Sequence, residues 1–214
     1  MRLFRSGDGS PGVLDERLGE AQHARDGAFT QARELYLRAS GTHRHPAPRI
    51  LELGFGAGLN FAVTLADARR RDAWLDYWAL EAHPLPLELL EAVLGRFEPE
   101  VFAALAPGWG RSLRLAGCGF RLRLEIVDVR AWKPPAAWAS AVYFDPFSPR
   151  TNPEAWERPV LAAMKRALQP GGVLVTYSVA RPVREALESL GFRVERLRGR
   201  GRKRHWLRAH RAGP

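Results

Sequence analysis

A single carboxylate, Asp145, ends a short apolar run in the stretch Val142–Trp156 (VYFDPFSPRTNPEAW), and the chain then passes through three prolines. Pro146 fixes φ and has no amide donor, so it makes a rigid turn directly after the carboxylate. Phe147 follows, and its ring can offer a π face to a cationic sulfonium or ammonium group. This combination suits methyl transfer to an amine. We predict that Asp145 is catalytic and that Phe147 contacts the substrate.

Asp145 does not suit the role of general base. Transfer of a proton from an alkylammonium of pKa about 10 to a carboxylate of pKa about 4 is uphill by about 6 units, or roughly 8 kcal/mol. Only a large shift caused by burial would close that gap. We therefore expect Asp145 to orient a neutral amine and to stabilise the positive charge that develops on its nitrogen, after the amine's proton has left to solvent. The structural alternative is that Asp145 only caps the turn before the next helix.

Other polar or glycine residues follow neighbouring apolar runs. Gly54, Gly56 and Gly58 have the spacing G-x-G-x-G, which differs from the G-x-G-x-x-G fingerprint of dinucleotide-binding folds. Glu81 ends the next apolar run, where a carboxylate can accept hydrogen bonds from both hydroxyls of a ribose. Asp128 ends a third run and can accept from an exocyclic adenine amine. Together they predict a nucleoside-bearing cofactor without phosphates, of which S-adenosylmethionine is the common one.

Glu52 lies inside the first of these apolar runs. A buried acid is costly unless it is paired. We therefore predict that Glu52 contributes to the cofactor site, near the methionine amine. Glu20 and His23 are weaker candidates for the substrate site, and the chain has no spacing typical of metal ligands.

Strand-like and helix-like patterns alternate from about residue 50 onward, which is typical of an α/β fold with a mostly parallel sheet and helices on both faces. We predict seven strands, near residues 50–54, 77–81, 120–128, 141–145, 173–178, 192–197 and 205–209. We predict helices near 59–70, 86–97, 152–168 and 182–190, and a break at Pro170-Gly171-Gly172. Residues 1–45 do not fit the alternation. They are expected to form an extension, helical over 19–40, that packs on or over the cofactor pocket of a domain spanning 46–214.

Composition limits the class of protein. The chain has 214 residues, 46% of them hydrophobic, and no apolar run approaches the roughly 18 residues that a membrane span needs. The single cysteine, Cys118, excludes an internal disulfide and favours a reducing compartment. The N-terminus has charge and glycine where a signal peptide would be apolar. We therefore expect a cytoplasmic protein.

The formal net charge is +10, and most of the excess lies at the C-terminus. Residues 192–214 contain nine Arg or Lys and one acid. A concentrated basic segment favours a polyanionic partner such as nucleic acid. A solvated basic tail is the alternative, although interleaved apolar residues indicate a folded hairpin. The predicted contacts to RNA phosphates are Arg198, Arg200, Arg202, Lys203 and Arg204.

Several segments resemble one known family. Ile50–Phe61 (ILELGFGAGLNF), Tyr143–Trp156 (YFDPFSPRTNPEAW), Pro170–Phe192 and the basic run Gly199–Leu207 are similar to the methyltransferase domain of the MnmC family of bacterial tRNA wobble-uridine modification enzymes. The N-terminal segment resembles the stand-alone form of that domain, which has no flavin-dependent oxidase domain.

The resemblance implies a Rossmann-like class I methyltransferase fold and S-adenosylmethionine-dependent methylation of the 5-aminomethyl group of the wobble uridine, giving 5-methylaminomethyl(-2-thio)uridine. It implies that the glycine loop, Asn60, Glu81 and Asp128 hold the cofactor, with Asp145 at the reactive amine. The implied partner is tRNA, through its anticodon stem-loop. No obligatory protein partner is evident.

The turn after Asp145 differs from the family pattern, which usually has Leu-Asp-Gly-Phe where this chain has Phe144-Asp-Pro-Phe147. Proline here resembles other amino methyltransferases, so a protein or small-molecule amine stays an alternative acceptor. Two further alternatives are a nicotinamide-dependent oxidoreductase, which the glycine spacing disfavours, and a nucleic-acid-binding module on an inactive methyltransferase fold.

Overall fold

A computed structural model describes residues 1–199 and 205–213. Its main feature is an eight-stranded sheet in the order β10-β11-β9-β8-β4-β5-β7-β6. The strands of this sheet are β4 (Arg49–Leu53), β5 (Leu75–Glu81), β6 (Leu113–Gly117), β7 (Phe120–Ile126), β8 (Ala139–Phe144), β9 (Leu168–Thr176), β10 (Phe192–Arg198) and β11 (His205–Arg211).

The central strands β4, β5, β7, β8 and β9 are parallel, whereas β6 and β11 run antiparallel to their neighbours. The sequence prediction of seven strands is one short. The missed strand is Leu113–Gly117, which forms a hairpin with β7 through a turn at Cys118 and Gly119. Because this strand lies at the sheet edge, its residues alternate between half-buried and exposed, and its apolar pattern is weak.

Helices cover both faces of the sheet. Their bounds are Leu59–Arg70 (α2), Leu87–Leu90 (α3) with a π-helical continuation over Glu91–Gly95, Pro99–Leu105 (α4), Arg158–Ala167 (α5) and Arg181–Ser189 (α6). A 3₁₀ turn, Pro153–Trp156, precedes α5. One apolar core lies under α2 and α4, and a second lies under α5 and α6. Within the described residues, no helix has the length and apolarity needed to cross a membrane.

The N-terminal segment is helical over only part of the range 19–40 in which the sequence predicted a helix. Three short strands, Arg2–Arg5 (β1), Pro11–Asp15 (β2) and Glu20–Ala21 (β3), form a separate antiparallel sheet. The helix begins only at Ala28 and continues in π-helical form through Ala39 (α1). Gly19 has a φ of +64°, a conformation that favours a turn over a helix start.

The predicted end of the helix near residue 168 is confirmed, since α5 ends at Ala167. The strand that follows, predicted to start at Val173, begins instead at Leu168 and includes Pro170-Gly171-Gly172. These residues lie inside β9, where the pairing with β8 is irregular between Ala139 and Ala141. Gly171 has a φ of +77°, so the chain bends there while the strand continues.

Candidate functional site

A cavity of about 630 Å³ opens at the carboxyl ends of the central parallel strands, where open α/β sheets bind ligands. Six of the predicted site residues line it: Gly54, Gly56, Glu81, Asp128, Asp145 and Phe147. Three others, Glu52, Gly58 and Asn60, lie outside its lining. Residues of the N-terminal segment, from Asp15 to His23, also contribute to the wall.

Asp145 lies directly after β8, and its carboxylate is held by two donors. The hydroxyl of Tyr36 donates to Oδ1, and Nδ2 of Asn60 donates to Oδ2 over 2.9 Å. Nε2 of His23 lies 3.7 Å from Oδ2. The residue is 9% exposed and faces the cavity. Burial beside Asp145 raises the pKa of Tyr36 well above its usual value, so the phenol stays a hydrogen-bond donor.

Asn60 joins Asp145 to a second carboxylate. Its Nδ2 also lies 2.9 Å from Oε1 of Glu52, which is completely buried within β4. Burial, with the charge of Asp145 nearby, raises the pKa of Glu52 well above its usual value. Glu52 therefore tends to keep its proton. Glu52 lies below the cavity and does not line it. It helps to hold the Asn60 amide that donates to Asp145.

The glycine loop fits closely against its surroundings. Gly54 has a φ of +89°, and a Cβ there would lie 2.7 Å from the carbonyl oxygen of Asp145. Gly56 has a φ of +53°, and a Cβ there would lie 2.9 Å from Oε1 of Gln22. Both backbone angles favour glycine. At Gly54 a side chain would also collide with backbone, whereas at Gly56 its neighbour is the end of the flexible Gln22 side chain. The loop thus brings β4, the Asp145 turn and the N-terminal segment together.

The two predicted cofactor acids are held differently. Glu81 accepts hydrogen bonds from the backbone amides of Gly56 and His83 over 2.8 and 2.9 Å, and burial raises its pKa. Each of its oxygens retains a lone pair for a hydroxyl group. Asp128 is exposed and accepts from the backbone amide and guanidinium of Arg130, which lowers its pKa. An adenine amine would have to share Asp128 with that guanidinium.

The turn after Asp145 is fixed from three sides. The hydroxyl of Tyr177 donates to the carbonyl oxygen of Pro146 over 2.8 Å, and Nε1 of Trp156 donates to that of Phe147 over 2.8 Å. Glu20, from β3, accepts from the backbone amide and hydroxyl of Ser148 and from the hydroxyl of Thr151. The N-terminal segment is therefore hydrogen-bonded, through Glu20, to the turn that carries Phe147.

The C-terminal arginines are only partly described. Arg198 is exposed at the end of β10, opposite His205 in the hairpin. Strand β10 pairs antiparallel with β11, and β11 pairs antiparallel with β9, so β10 runs parallel to β9. The carboxyl end of β10 therefore lies at the same end of the strands as Asp145. The predicted contacts Arg200, Arg202, Lys203 and Arg204 lie outside the described residues.

Sequence reasoning missed Tyr36, Gln22 and Tyr177. Their contacts join segments that are far apart in the chain: Tyr36 and Asp145 are 109 residues apart. No local spacing signals such a contact. The described residues contain no group of three or more His, Cys, Asp or Glu side chains that could hold a metal ion.

Comparisons with known proteins agree with this architecture. The chain is similar to MnmC2 from Aquifex aeolicus, a solved structure, with a TM-score of 0.78 and 24% identity over 100% of this chain and 70% of that one. It is 38% identical, over 94% of its length, to the tRNA 5-methylaminomethyl-2-thiouridine biosynthesis bifunctional protein MnmC of Paracidovorax citrulli, and 33% identical over 96% to that of Thiobacillus denitrificans. It spans 34% and 36% of these two relatives, about a third of their length.

The cavity also fits the cofactor that such a family uses. Gly54 and Gly56 present backbone without side chains to the cavity, and Glu81 offers acceptors for hydroxyl groups. Oε1 of Gln22 is buried against Gly56 and has no hydrogen-bond partner among residues 1–199 and 205–213. A donor group of a ligand can therefore donate a hydrogen bond to this oxygen. A model of the S-adenosyl-L-methionine-dependent methyltransferases matches residues 102–212, more than half of the chain. The chain therefore belongs to this methyltransferase family and uses S-adenosyl-L-methionine as its cofactor.

Proposed function

We propose that this protein methylates the amino nitrogen of 5-aminomethyluridine at the wobble position of tRNA. The observation that carries the proposal is the position of the Asp145 carboxylate, in one cavity with the glycine loop that follows β4. The relatives named MnmC, aligned over almost the whole chain, supply the substrate class.

Asp145 has the geometry to orient an amine. Tyr36 and Asn60 each occupy one of its oxygens, and these donors stabilise the negative charge of the carboxylate. A carboxylate oxygen accepts more than one hydrogen bond, so Asp145 can also accept an N–H of the substrate. That hydrogen bond directs the nitrogen lone pair away from Asp145 and stabilises the positive charge that forms on nitrogen. The amine's proton leaves to solvent beforehand, because a carboxylate is too weak a base to hold it.

Four residues are proposed to hold the cofactor: Gly54, Gly56, Glu81 and Asp128, all in the cavity wall. When bound, S-adenosyl-L-methionine supplies an electrophilic methyl group on a sulfonium sulfur. Phe147, held by Trp156 and by the Glu20 contacts to its turn, is placed to pack against the cationic centre or the uracil ring. Residues between Asp15 and His23 form one side of the cavity.

The basic segment that follows β10, starting at Arg198, is proposed to bind the tRNA. A flipped wobble base enters the cavity while arginines contact phosphates of the anticodon stem. If about five phosphates are neutralised, the logarithm of the affinity should fall with the logarithm of the salt concentration at a slope near −4. Binding of tRNA that does not respond to salt would contradict this arrangement.

The direct test is mass spectrometry of tRNA nucleosides from cells with and without the gene, combined with methyl transfer by the purified protein to tRNA from the deficient cells. We expect aminomethyluridine to accumulate in the deficient cells and to be converted to the methylaminomethyl form in vitro. If bulk tRNA accepts no methyl group while a protein or small amine does, the tRNA assignment is wrong and the alternative acceptor is correct.

A further inference from the structure

A row of arginines lies on one face of the β6–β7 hairpin, at the edge of the sheet farthest from β10. Arg121 and Arg123 are two residues apart on β7, so they point to the same face about 7 Å apart. Arg114 on β6 is directly opposite Arg123. Leu113, Leu115 and the other alternate residues of the hairpin pack on the opposite face, under α4. The arginine face is the other face of the hairpin, where Arg123 covers Trp78 at the margin of the second core.

This arrangement costs stability. Like charges directly opposite each other in an antiparallel pair are destabilising, and Arg114 and Arg123 form such a pair. Arg121 lies 3.5 Å from Asp76, but Arg114 and Arg123 make no ion pair within the described part of the chain. Glu125, on the same face, is the other nearby acid. The row therefore keeps an excess of positive charge.

Arg123 is also held rigidly. Its guanidinium carbon lies 4.0 Å from the centre of the Trp78 ring, a cation–π contact. Its Nε is buried with no hydrogen-bond partner among the described residues. The contact with Trp78 therefore fixes the orientation of the guanidinium on the surface of the hairpin. The planar fork of arginine suits the oxygens of a phosphate.

The location suits a second contact with a large polyanion. The cavity opens at the carboxyl ends of β4, β5, β7 and β8. The row lies on the outermost strands of the sheet and extends from the middle of β7 to its amino end, and the hairpin with Arg198 lies at the opposite lateral edge of the sheet. We propose that the row Arg114, Arg121 and Arg123 binds phosphates of the tRNA substrate on the side of the cavity away from the C-terminal hairpin. This inference depends on the proposed function. It adds a second binding surface, so that the tRNA is held on both sides of the reacting base.

The test compares two variants with the same loss of charge. R114Q/R121Q removes two exposed arginines from the row. R70Q/R166Q removes two exposed arginines at the C-terminal ends of α2 and α5, outside the β6–β7 hairpin. Methylation kinetics with full-length tRNA, filter binding at several salt concentrations, and thermal unfolding are measured for both and for the wild type.

We expect R114Q/R121Q to raise the KM for tRNA about 10-fold with kcat almost unchanged, and to reduce the salt slope of tRNA binding by about 1.8. R70Q/R166Q should change the KM and the salt slope only slightly. The thermal stability of R114Q/R121Q should equal or exceed that of the wild type, because the like-charge pair of Arg114 and Arg123 is gone. Equal KM values in the two variants, with an active wild type, would overturn this inference alone. A wild type that does not methylate tRNA would overturn the proposed function.

Discussion

The Tyr36 hydroxyl donates a hydrogen bond of 2.5 Å to Oδ1 of Asp145, joining the N-terminal helix to the turn after β8. Both groups are buried, and the pKa of Tyr36 is raised well above its usual value by burial and by the charge of Asp145. The phenol therefore stays protonated over the whole working range of pH. It keeps one oxygen of Asp145 engaged and leaves the carboxylate in a single orientation.

Removal of that hydroxyl should impair methyl transfer. For Y36F we expect kcat to fall about 10- to 100-fold, because a hydrogen bond to a charged group contributes about 1.5–3 kcal/mol. The affinity for S-adenosyl-L-methionine, measured by calorimetry, should not change. Y143F is the matched control, since that hydroxyl lies at Thr64 and not at Asp145. Equal kcat values for the two variants would show that Tyr36 has no influence on the reaction.

The sequence allowed the central sheet to be predicted because each parallel strand is a buried apolar run that ends at a glycine or an acid. Gly54, Glu81 and Asp145 mark three such ends, and all three line the cavity. Local patterns did not reveal what holds them. The partners Tyr36 and Gln22 come from the N-terminal segment, and a contact across 109 residues leaves no periodic signal. The edge strand β6 was missed because three of its five residues are exposed to solvent and none is fully buried.

Glu52 should make stability depend on pH. Its pKa is raised above the ordinary value of 4.5 by burial, so the folded state keeps a proton that the unfolded chain releases. The contribution of Glu52 to the free energy of unfolding is full below pH 4.5 and is lost as the pH rises toward the folded-state pKa, by up to about 1.4 kcal/mol per pH unit.

E52Q removes this dependence while an amide oxygen can still accept from Asn60. We expect the free energy of unfolding of E52Q, relative to that of the wild type, to increase steadily between pH 4.5 and 7 in urea titrations. Other acids with shifted pKa values are common to both proteins and cancel in the difference. A difference that stays constant with pH would mean that Glu52 is already ionised in the folded protein.

Gly54 is expected to be required for its close contact as well as for its backbone angle. Gly41 provides the control, since it has a φ of +81° and no atom lies within 4 Å of the position that a Cβ would take, whereas at Gly54 the Asp145 carbonyl oxygen is at 2.7 Å. G41A should lose about 1–2 kcal/mol of stability from the left-handed conformation alone. G54A should lose more and should also lower the affinity for S-adenosyl-L-methionine. Equal losses in the two variants would mean that the contact with Asp145 has no effect.

Glu20 is expected to position the turn that carries Phe147. E20A removes the acceptor for Ser148 and Thr151, and we expect kcat/KM for tRNA to fall about 10- to 100-fold with unchanged cofactor affinity. E20Q, which keeps one acceptor oxygen, should be intermediate. E16A is the control, because that exposed acid pairs only with Arg2 and the N-terminus among the described residues. Activity of E20A equal to that of E16A would contradict the positioning role.

Gln22 should bind the cofactor directly, because its Oε1 is buried at the glycine loop and has no hydrogen-bond partner within residues 1–199 and 205–213. A buried acceptor without a partner costs about 1–3 kcal/mol, which a donor from the cofactor would remove on binding. For Q22A we therefore expect the Kd for S-adenosyl-L-methionine to rise about 10-fold or more in calorimetric titrations. Q169A is the control, since Gln169 bonds to Arg49 outside the cavity lining and its loss should leave the Kd unchanged. If Q22A binds the cofactor as tightly as Q169A does, the N-terminal segment covers the cavity without contacting the cofactor through this residue.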